Sequence, residues 1–142
     1  MFKGGSKQSL FSALVLFMCA SVILPSYAQD SPVGKGMLSR GMFTTGIENR
    51  EPVDNVATLI NTNNEIYFFS ELKFMEGRAV IHRWQYKGNT MADVEFNVGG
   101  PRWRVYSKKA LYPGQTGEWS VIVLDKETGW PLAVDVFHYT AD

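Results

Sequence analysis

Turn-forming residues recur along this chain roughly every dozen positions, and that spacing limits what it can become. Lys87-Gly88-Asn89, Gly99-Gly100-Pro101, Tyr112-Pro113-Gly114-Gln115-Thr116-Gly117 and Asp125-Lys126-Glu127-Thr128-Gly129 interrupt segments of strand length. Glycine, proline and asparagine supply the backbone angles that tight reversals need. The segments between them are rich in Val, Ile, Phe, Tyr and Trp, which suit a pleated, half-buried surface. Counting Met42 to Ile47, Glu65 to Lys73, Arg78 to Lys87, Thr90 to Val98, Arg102 to Leu111, Glu118 to Leu124 and Pro131 to Tyr139 gives seven strands. Short strands at regular intervals predict an all-β domain over residues 40–139: a single antiparallel β-sandwich, immunoglobulin-like. Trp84, on the third strand, sits where such domains bury a tryptophan, although their paired cysteines are missing.

Two stretches fit the pattern less well. Val56, Leu59 and Ile60 have helical spacing, and Asp54 is placed to cap a short helical turn that Asn61-Thr62-Asn63-Asn64 would end. Glu48-Asn49-Arg50-Glu51-Pro52 reads as an exposed turn, with Asn, Pro and three charges in five residues.

The hairpin over Arg78 to Val98 can be given a register. Val80, His82 and Trp84 share one face, as do Ala92, Val94 and Phe96 on the next strand. The two faces coincide if Trp84 pairs with Ala92 and His82 with Val94, a parity that a three- or five-residue loop provides and a two-residue loop does not. The same register sets Arg83 opposite Asp93 on the outer face. Gly129 occupies the left-handed position of the last hairpin turn.

The first residues belong to a different kind of segment. Lys3 and Lys7 precede an apolar run from Leu10 to Leu24, broken by Pro25 ahead of the small-x-small site Ser26-Tyr27-Ala28. That is the layout of a secretory signal peptide over residues 1–28, with a retained membrane anchor as the alternative, although the run is short for a spanning helix. Residues 29–39 then form a flexible arm containing Pro, Gly and Ser, and order is expected from near Arg40.

Cleavage after Ala28 would remove 28 of 142 residues, leaving 114, and with them Cys19, the single cysteine. The exported domain would have neither a disulfide nor a thiol nucleophile, so its core alone must stabilise it. Loss of Lys3 and Lys7 leaves 12 basic against 14 acidic side chains, a net of −2. No basic excess points to nucleic acid, and no membrane association is expected after cleavage.

The sequence contains no Gly-rich phosphate loop, paired-histidine helix, nucleophile-elbow serine or acidic calcium loop. We therefore assign no cofactor, metal or catalytic residue. His82 and His138 are the two histidines, far apart in sequence. His82 can be read as a general base at the end of a sheet, or as a buried, hydrogen-bonded neighbour of Trp84; the second fits its inward face. A glycosidase-type carboxylate pair would have to combine Glu48 or Glu51 with Glu118.

The more informative stripe is on the fifth strand. Alternation sets Arg102, Arg104, Tyr106 and Lys108 on one face and Trp103, Val105 and Ser107 on the other. If the Arg78 to Lys87 strand shares that sheet, Arg83 and Lys87 extend the stripe into a basic patch for an anionic polymer, a carboxylate-bearing glycan or an acidic partner surface. The bland counterpart is a solvated face neutralised by Asp93 and Glu95. Trp84, Trp103 and Trp119 fall in apolar alternation and are expected in the core, whereas Trp130, in the turn before Pro131, is a candidate for stacking on a sugar or partner.

Several of these segments occur together elsewhere. Phe43-Thr44-Thr45-Gly46-Ile47, Glu48-Asn49-Arg50-Glu51-Pro52, His82-Arg83-Trp84, the run Val98 to Lys108, and Gly117-Glu118-Trp119 with Val121 resemble a bacterial family catalogued as domain of unknown function 2914. The resemblance covers about residues 40–139 and brings no established activity.

These residues lead us to expect a non-catalytic binding module, periplasmic or secreted, for an envelope glycan or protein partner. Its candidate surface comprises Arg102, Arg104, Tyr106, Lys108 and Arg83, the loop residues Glu48 and Arg50, and Trp130. The oligomeric state stays open. An envelope-polymer hydrolase using His82 with a loop glutamate is the first alternative, and an accessory subunit pairing through an edge strand is the second.

Overall fold

The computed structural model describes residues 37–142, so the expected signal peptide and most of the arm lie outside the described residues. Ten strands follow in order: β1 (Met37–Thr44), β2 (Ile47–Glu48), β3 (Glu51–Pro52), β4 (Thr58–Ile60), β5 (Glu65–Lys73), β6 (Ala79–Tyr86), β7 (Asn89–Asn97), β8 (Arg102–Ala110), β9 (Gly117–Asp125) and β10 (Pro131–Thr140). The described residues contain no helix; six of the seven long strands are those expected from the turn spacing, while β1 ends at Thr44 and Ile47, expected to close it, belongs to β2. They form a three-stranded sheet, β1-β5-β8, and a five-stranded sheet, β4-β10-β9-β6-β7, while β2 and β3 make a small hairpin. All pairings are antiparallel except that of β4 with β10.

Alternation decides which face of each sheet turns inward. Phe68 and Leu72 of β5, Val105 of β8 and Phe43 of β1 join Val80 and Trp84 of β6, Trp119, Val121 and Val123 of β9 and Phe137 of β10 in one core. Phe43 lies at its centre, its ring centroid 5.0 Å from Phe68, 5.8 Å from Trp84 and 4.7 Å from Phe137. Burying a side chain of this size contributes on the order of 1.5–3 kcal/mol, and the described residues include no cysteine to reinforce it.

The β6–β7 register is the expected one: His82 pairs with Val94, Arg83 with Asp93 and Trp84 with Ala92. The connection differs from expectation. Lys87 and Gly88 form a two-residue turn, both with left-handed φ (48° and 81°), and Tyr86 pairs directly with Asn89. A bulge between Trp84/Gln85 and the partner strand restores the parity that a two-residue loop would otherwise reverse.

The helical turn expected between Val53 and Asn64 is replaced by β4, in which Leu59 is buried between exposed Thr58 and Ile60. Asp54 caps no helix, because its carboxylate accepts from Thr44 Oγ1 (2.6 Å) and Thr45 N (2.7 Å). The backbone of this segment is satisfied from the far end of the chain: His138 N donates to Ala57 O (2.9 Å) and Asn61 N to Thr140 O (2.8 Å). Those partners are about eighty residues away, so local spacing could not reveal them. The Glu48 to Pro52 turn is likewise more ordered than expected, with Asn49 and Arg50 both left-handed (50° and 64°) between β2 and β3. Order also begins before Arg40, since β1 starts at Met37 and overlaps the expected arm.

Candidate functional site

The outer face of the three-stranded sheet gathers most of the chemistry that meets water. Register places Arg40, Glu71 and Arg104 in one row across β1, β5 and β8, and Met42, Phe69 and Tyr106 in the next. Tyr67 and Lys108 follow in a third. Pleating points alternate residues the same way, so each row stands on the face opposite the core.

The first row is a network of charge-assisted bonds. Glu71 is only 3% exposed, and its carboxylate accepts from Arg40 Nη2 (2.9 Å), Arg102 Nε (2.9 Å) and Ser39 Oγ (2.7 Å). Glu51, carried by the β2–β3 hairpin, accepts both Arg40 Nη1 (2.8 Å) and Nη2 (3.0 Å) and also Arg104 Nη1 (2.5 Å). Hydrogen bonds from Arg40 and Arg104 hold the Glu51 carboxyl down at about 2. Burial pushes the Glu71 carboxyl up, but the donors Arg40, Arg102 and Ser39 outweigh it and hold that group at about 2 as well. The hydrogen bonds that Arg40 donates to Glu51 and Glu71 raise the pKa of its guanidinium, despite the opposing effect of its burial.

The second row explains why the hairpin matters. Phe69 faces away from the core and is nevertheless 0% exposed, with the Arg40 guanidinium 5.1 Å above its ring. Glu51 bonds to arginines on the two strands flanking β5, which carries Phe69, so the hairpin lies across this phenylalanine. Beyond it the face opens: Tyr106 is 49% exposed, and its ring meets Tyr67 edge-on at 6.2 Å. Lys108 Nζ lies 3.3 Å from Glu65 and 5.9 Å from the Tyr67 centroid.

Of the residues expected to bind, Arg102, Arg104, Tyr106 and Lys108 stand together on this face. The acids beside them are Glu71, Glu51 and Glu65, not Asp93 and Glu95. The extended basic patch does not form. Arg83 lies on β6 in the other sheet, where its Nε and Nη2 donate to Asp93, both at 2.9 Å. Glu95 pairs with Lys126 (2.7 Å). Glu48 and Arg50 are exposed at the hairpin tip, beside the site rather than in it, and Trp130, 60% exposed, sits at the β9–β10 turn of the five-stranded sheet. Glu51 is ion-paired in the outer cluster, while Glu118 belongs to β9 of the other sheet.

The other polar cluster lies between the sheets. His82 is 0% exposed, with Nε2 2.7 Å from Ser70 Oγ and Nδ1 2.8 Å from Ser107 Oγ. Trp84 Nε1 donates to the same Ser107 oxygen (3.0 Å). An indole can only donate, so Ser107 accepts from Trp84 and its hydroxyl hydrogen is free for His82 Nδ1. Each ring nitrogen thus faces one serine hydroxyl, and the neutral imidazole donates through one nitrogen and accepts through the other. Phe68 and Phe96 close edge-on over the imidazole at 5.0 and 4.8 Å, and desolvation lowers its pKa to about 3. A neutral, enclosed histidine sharing hydrogen bonds with two serines ties the sheets together.

The glycines of the sequence motifs also have structural explanations. A Cβ at Gly99 would lie 2.8 Å from the Trp103 indole, which packs half-buried over Gly99 and Gly100. Gly117 has φ of 124°, and a Cβ there would lie 2.8 Å from Lys87 Cε. Trp119, fully buried, donates from Nε1 to Gln115 O (3.0 Å) and fixes the loop before β9. These motifs therefore serve the fold as much as any surface.

Residues 78–138 match the family described as protein of unknown function (DUF2914). The matched stretch runs from the start of β6 through most of β10 and contains His82-Arg83-Trp84, Gly99-Gly100-Pro101 and Gly117-Glu118-Trp119. The resemblance over Phe43 to Pro52 lies outside it. The DUF2914-like stretch thus supplies Arg102, Arg104 and Tyr106, while Arg40, Glu51, Phe69 and Glu71 come from the preceding strands. No curated protein matches the chain.

The sequence alone did not reveal Arg40, Glu71, Tyr67 and Phe69 as members of this site, whereas Glu51 belongs to the Glu48 to Pro52 loop expected beside it. One signal was available: Glu71 stands in an otherwise aromatic and aliphatic strand, EIYFFSELK, where a carboxylate requires a cationic partner.

Proposed function

We propose that this chain is exported to the periplasm or beyond the cell and acts there as a non-catalytic binding module. In this reading the two sheets make an immunoglobulin-like β-sandwich, and the outer face of β1-β5-β8 receives an envelope glycan or protein partner. The leader-like residues 1–28 support the destination. One observation carries the choice of function. His82, the residue best suited to act as a general base, is enclosed between the sheets, whereas exposed aromatic and cationic side chains converge on the β1-β5-β8 face. Arg40, Lys73, Arg102, Arg104 and Lys108 stand there against Glu51, Asp54, Glu65 and Glu71, which leaves a local excess of one positive charge for an anionic ligand.

The hydrolase alternative requires His82 to reach water beside a carboxylate, and its burial between Phe68 and Phe96 weighs against that. Strand addition draws support from β7, which runs nine residues and, among the described residues, pairs only with β6. A glycan array probed with the full chain tests the leading reading. Ligands lost on Arg102→Ala and Tyr106→Ala but kept on Arg83→Ala support this face. Ligands indifferent to both of the first two substitutions refute it.

A further inference from the structure

The outer-face cluster already holds a carboxylate, and that carboxylate comes from the chain itself. Glu51 meets Arg40 through two parallel N–H···O contacts of 2.8 and 3.0 Å and reaches Arg104 at 2.5 Å. This fork geometry is how guanidinium groups recognise planar carboxylates. The receiving groups are fixed beforehand. Nearly buried Glu71 holds Arg40 at 2.9 Å from beneath, and Phe69 supports the face of the same guanidinium. Glu51 itself is only half-buried and rides on a hairpin of two-residue strands whose turn carries two consecutive left-handed non-glycine residues, Asn49 and Arg50. Among the described residues β2 and β3 pair only with each other and not with the sheet, so the element delivering this carboxylate is easier to lift than the sheet beneath it.

We propose that Arg40 and Arg104 form a carboxylate site for uronic-acid-containing glycans, and that Glu51 occupies it as an internal competitor until a ligand displaces the hairpin. The inference rests on the binding-module reading and names its ligand class. A sugar acid is favoured because of what adjoins the arginines. Tyr106 stands two residues from Arg104 on the same strand face, roughly 7 Å away, and offers an exposed ring for a pyranose to stack on. Tyr67 meets it edge-on and continues the aromatic surface along the face. An acidic peptide would use the arginines but gain little from the tyrosines. A tethered competitor acts at an effective concentration near millimolar, so the unmodified chain binds its ligand weakly and removal of the competitor strengthens binding.

The test is calorimetric titration of the full chain with tetragalacturonate, maltotetraose and a tetraglutamate peptide. Glu51→Gln is expected to bind tetragalacturonate at least ten-fold more tightly than the parent chain, with no gain for maltotetraose. Arg40→Gln added to Glu51→Gln should abolish the gain, and Tyr106→Ala should reduce it several-fold. Glu51→Asp, too short to span both arginines yet still charged, provides a second opening of the site should the glutamine variant fold poorly. An unchanged affinity in both Glu51 variants overturns the internal-competitor idea, even if array ligands still depend on Arg102 and Tyr106 and so sustain the broader reading. Equal gains for tetraglutamate, insensitive to Tyr106→Ala, overturn the glycan assignment.

Discussion

Two polar clusters, about His82 and about Glu71, sit on opposite faces of β5. They share the strand, the reliance on hydrogen bonds and a nearly complete loss of solvent at their centres, yet they do different work. Around His82 each ring nitrogen has one hydroxyl partner, the serines and Trp84 close the set, and no formal charge is present. Around Glu71 the partners are charged, three arginines face two glutamates, and the outer members remain half-wet. A satisfied neutral network in a dry gap gains nothing from meeting a ligand. A charged network with spare cations and one displaceable acid does. Burial alone does not separate architecture from recognition; the balance of donors against acceptors at the rim does.

The comparison is broken most forcefully from the dry side. Trp84→Ala removes a fully buried indole and leaves Ser107 without that donor, so a loss of about 3–5 kcal/mol is expected. Urea unfolding followed by tryptophan fluorescence measures it. A loss below about 1 kcal/mol would mean that the core does not close around this residue.

Acid sharpens the comparison, and the direction follows from the shifts. His82 is held at about 3 in the fold against about 6.5 in the unfolded chain, so the unfolded state binds the extra proton between those values. Its contribution is complete above pH 6.5 and is lost as pH falls toward 3, at up to about 1.4 kcal/mol per pH unit. Glu51 and Glu71, both lowered to about 2, are depressed carboxylates whose contribution is present above about 4.5 and fades between there and 2. Thermal melts from pH 8 to pH 4.5 therefore report the dry cluster, and those below pH 4.5 add the wet one. His82→Gln, neutral throughout and still able to hydrogen-bond, should flatten the upper window while leaving the lower one in place. A slope between pH 6.5 and 4.5 that persists in this variant would refute the assignment.

These same clusters mark where the sequence was legible. The places of the long strands along the chain, the β6–β7 register and the inward facing of His82 followed from turn spacing and period-two alternation, local properties that survive folding. The outer cluster was only half visible. Arg102 and Arg104 could be placed on a face, but their neighbours Glu71 and Arg40 are 31 and 62 positions or more away along the chain, on strands whose order alternation does not specify. Supposing Arg83 in the same sheet was the natural error, because β6 and β8 are near in sequence and the sheet assignment depends on long-range pairing. The β4 segment failed for the same reason: three residues cannot display a period, and their partner is the C-terminal strand.

On the wet side, Glu71→Gln keeps the shape but removes the charge that three donors share. A destabilisation of about 1.5–3 kcal/mol is expected, below that of Trp84→Ala. Arg40 and Arg102 should also lose their common anchor, which an increase in their side-chain disorder by NMR relaxation would register. A variant as stable as the parent with unchanged arginine dynamics would show that the row is held by Glu51 and Phe69 alone.

The smallest effect belongs to the pair that resembles the cluster in chemistry and differs in setting. Arg83 and Asp93 form a parallel double hydrogen bond across β6 and β7, with both side chains more than a third exposed. Water competes for both partners and salt screens them, so Arg83→Ala should cost roughly 0.2–1 kcal/mol, with most of that difference vanishing at high salt. The geometry is as good as that of Arg40 with Glu51, which makes Arg83→Ala the proper control for it. A loss above about 2 kcal/mol would mean that bidentate geometry, rather than the shared buried acid and the aromatic ring beneath, sets the strength of such pairs on this molecule. The distinction between the two faces of β5 would then have to be drawn from exposure of the tyrosines instead of from the arginines.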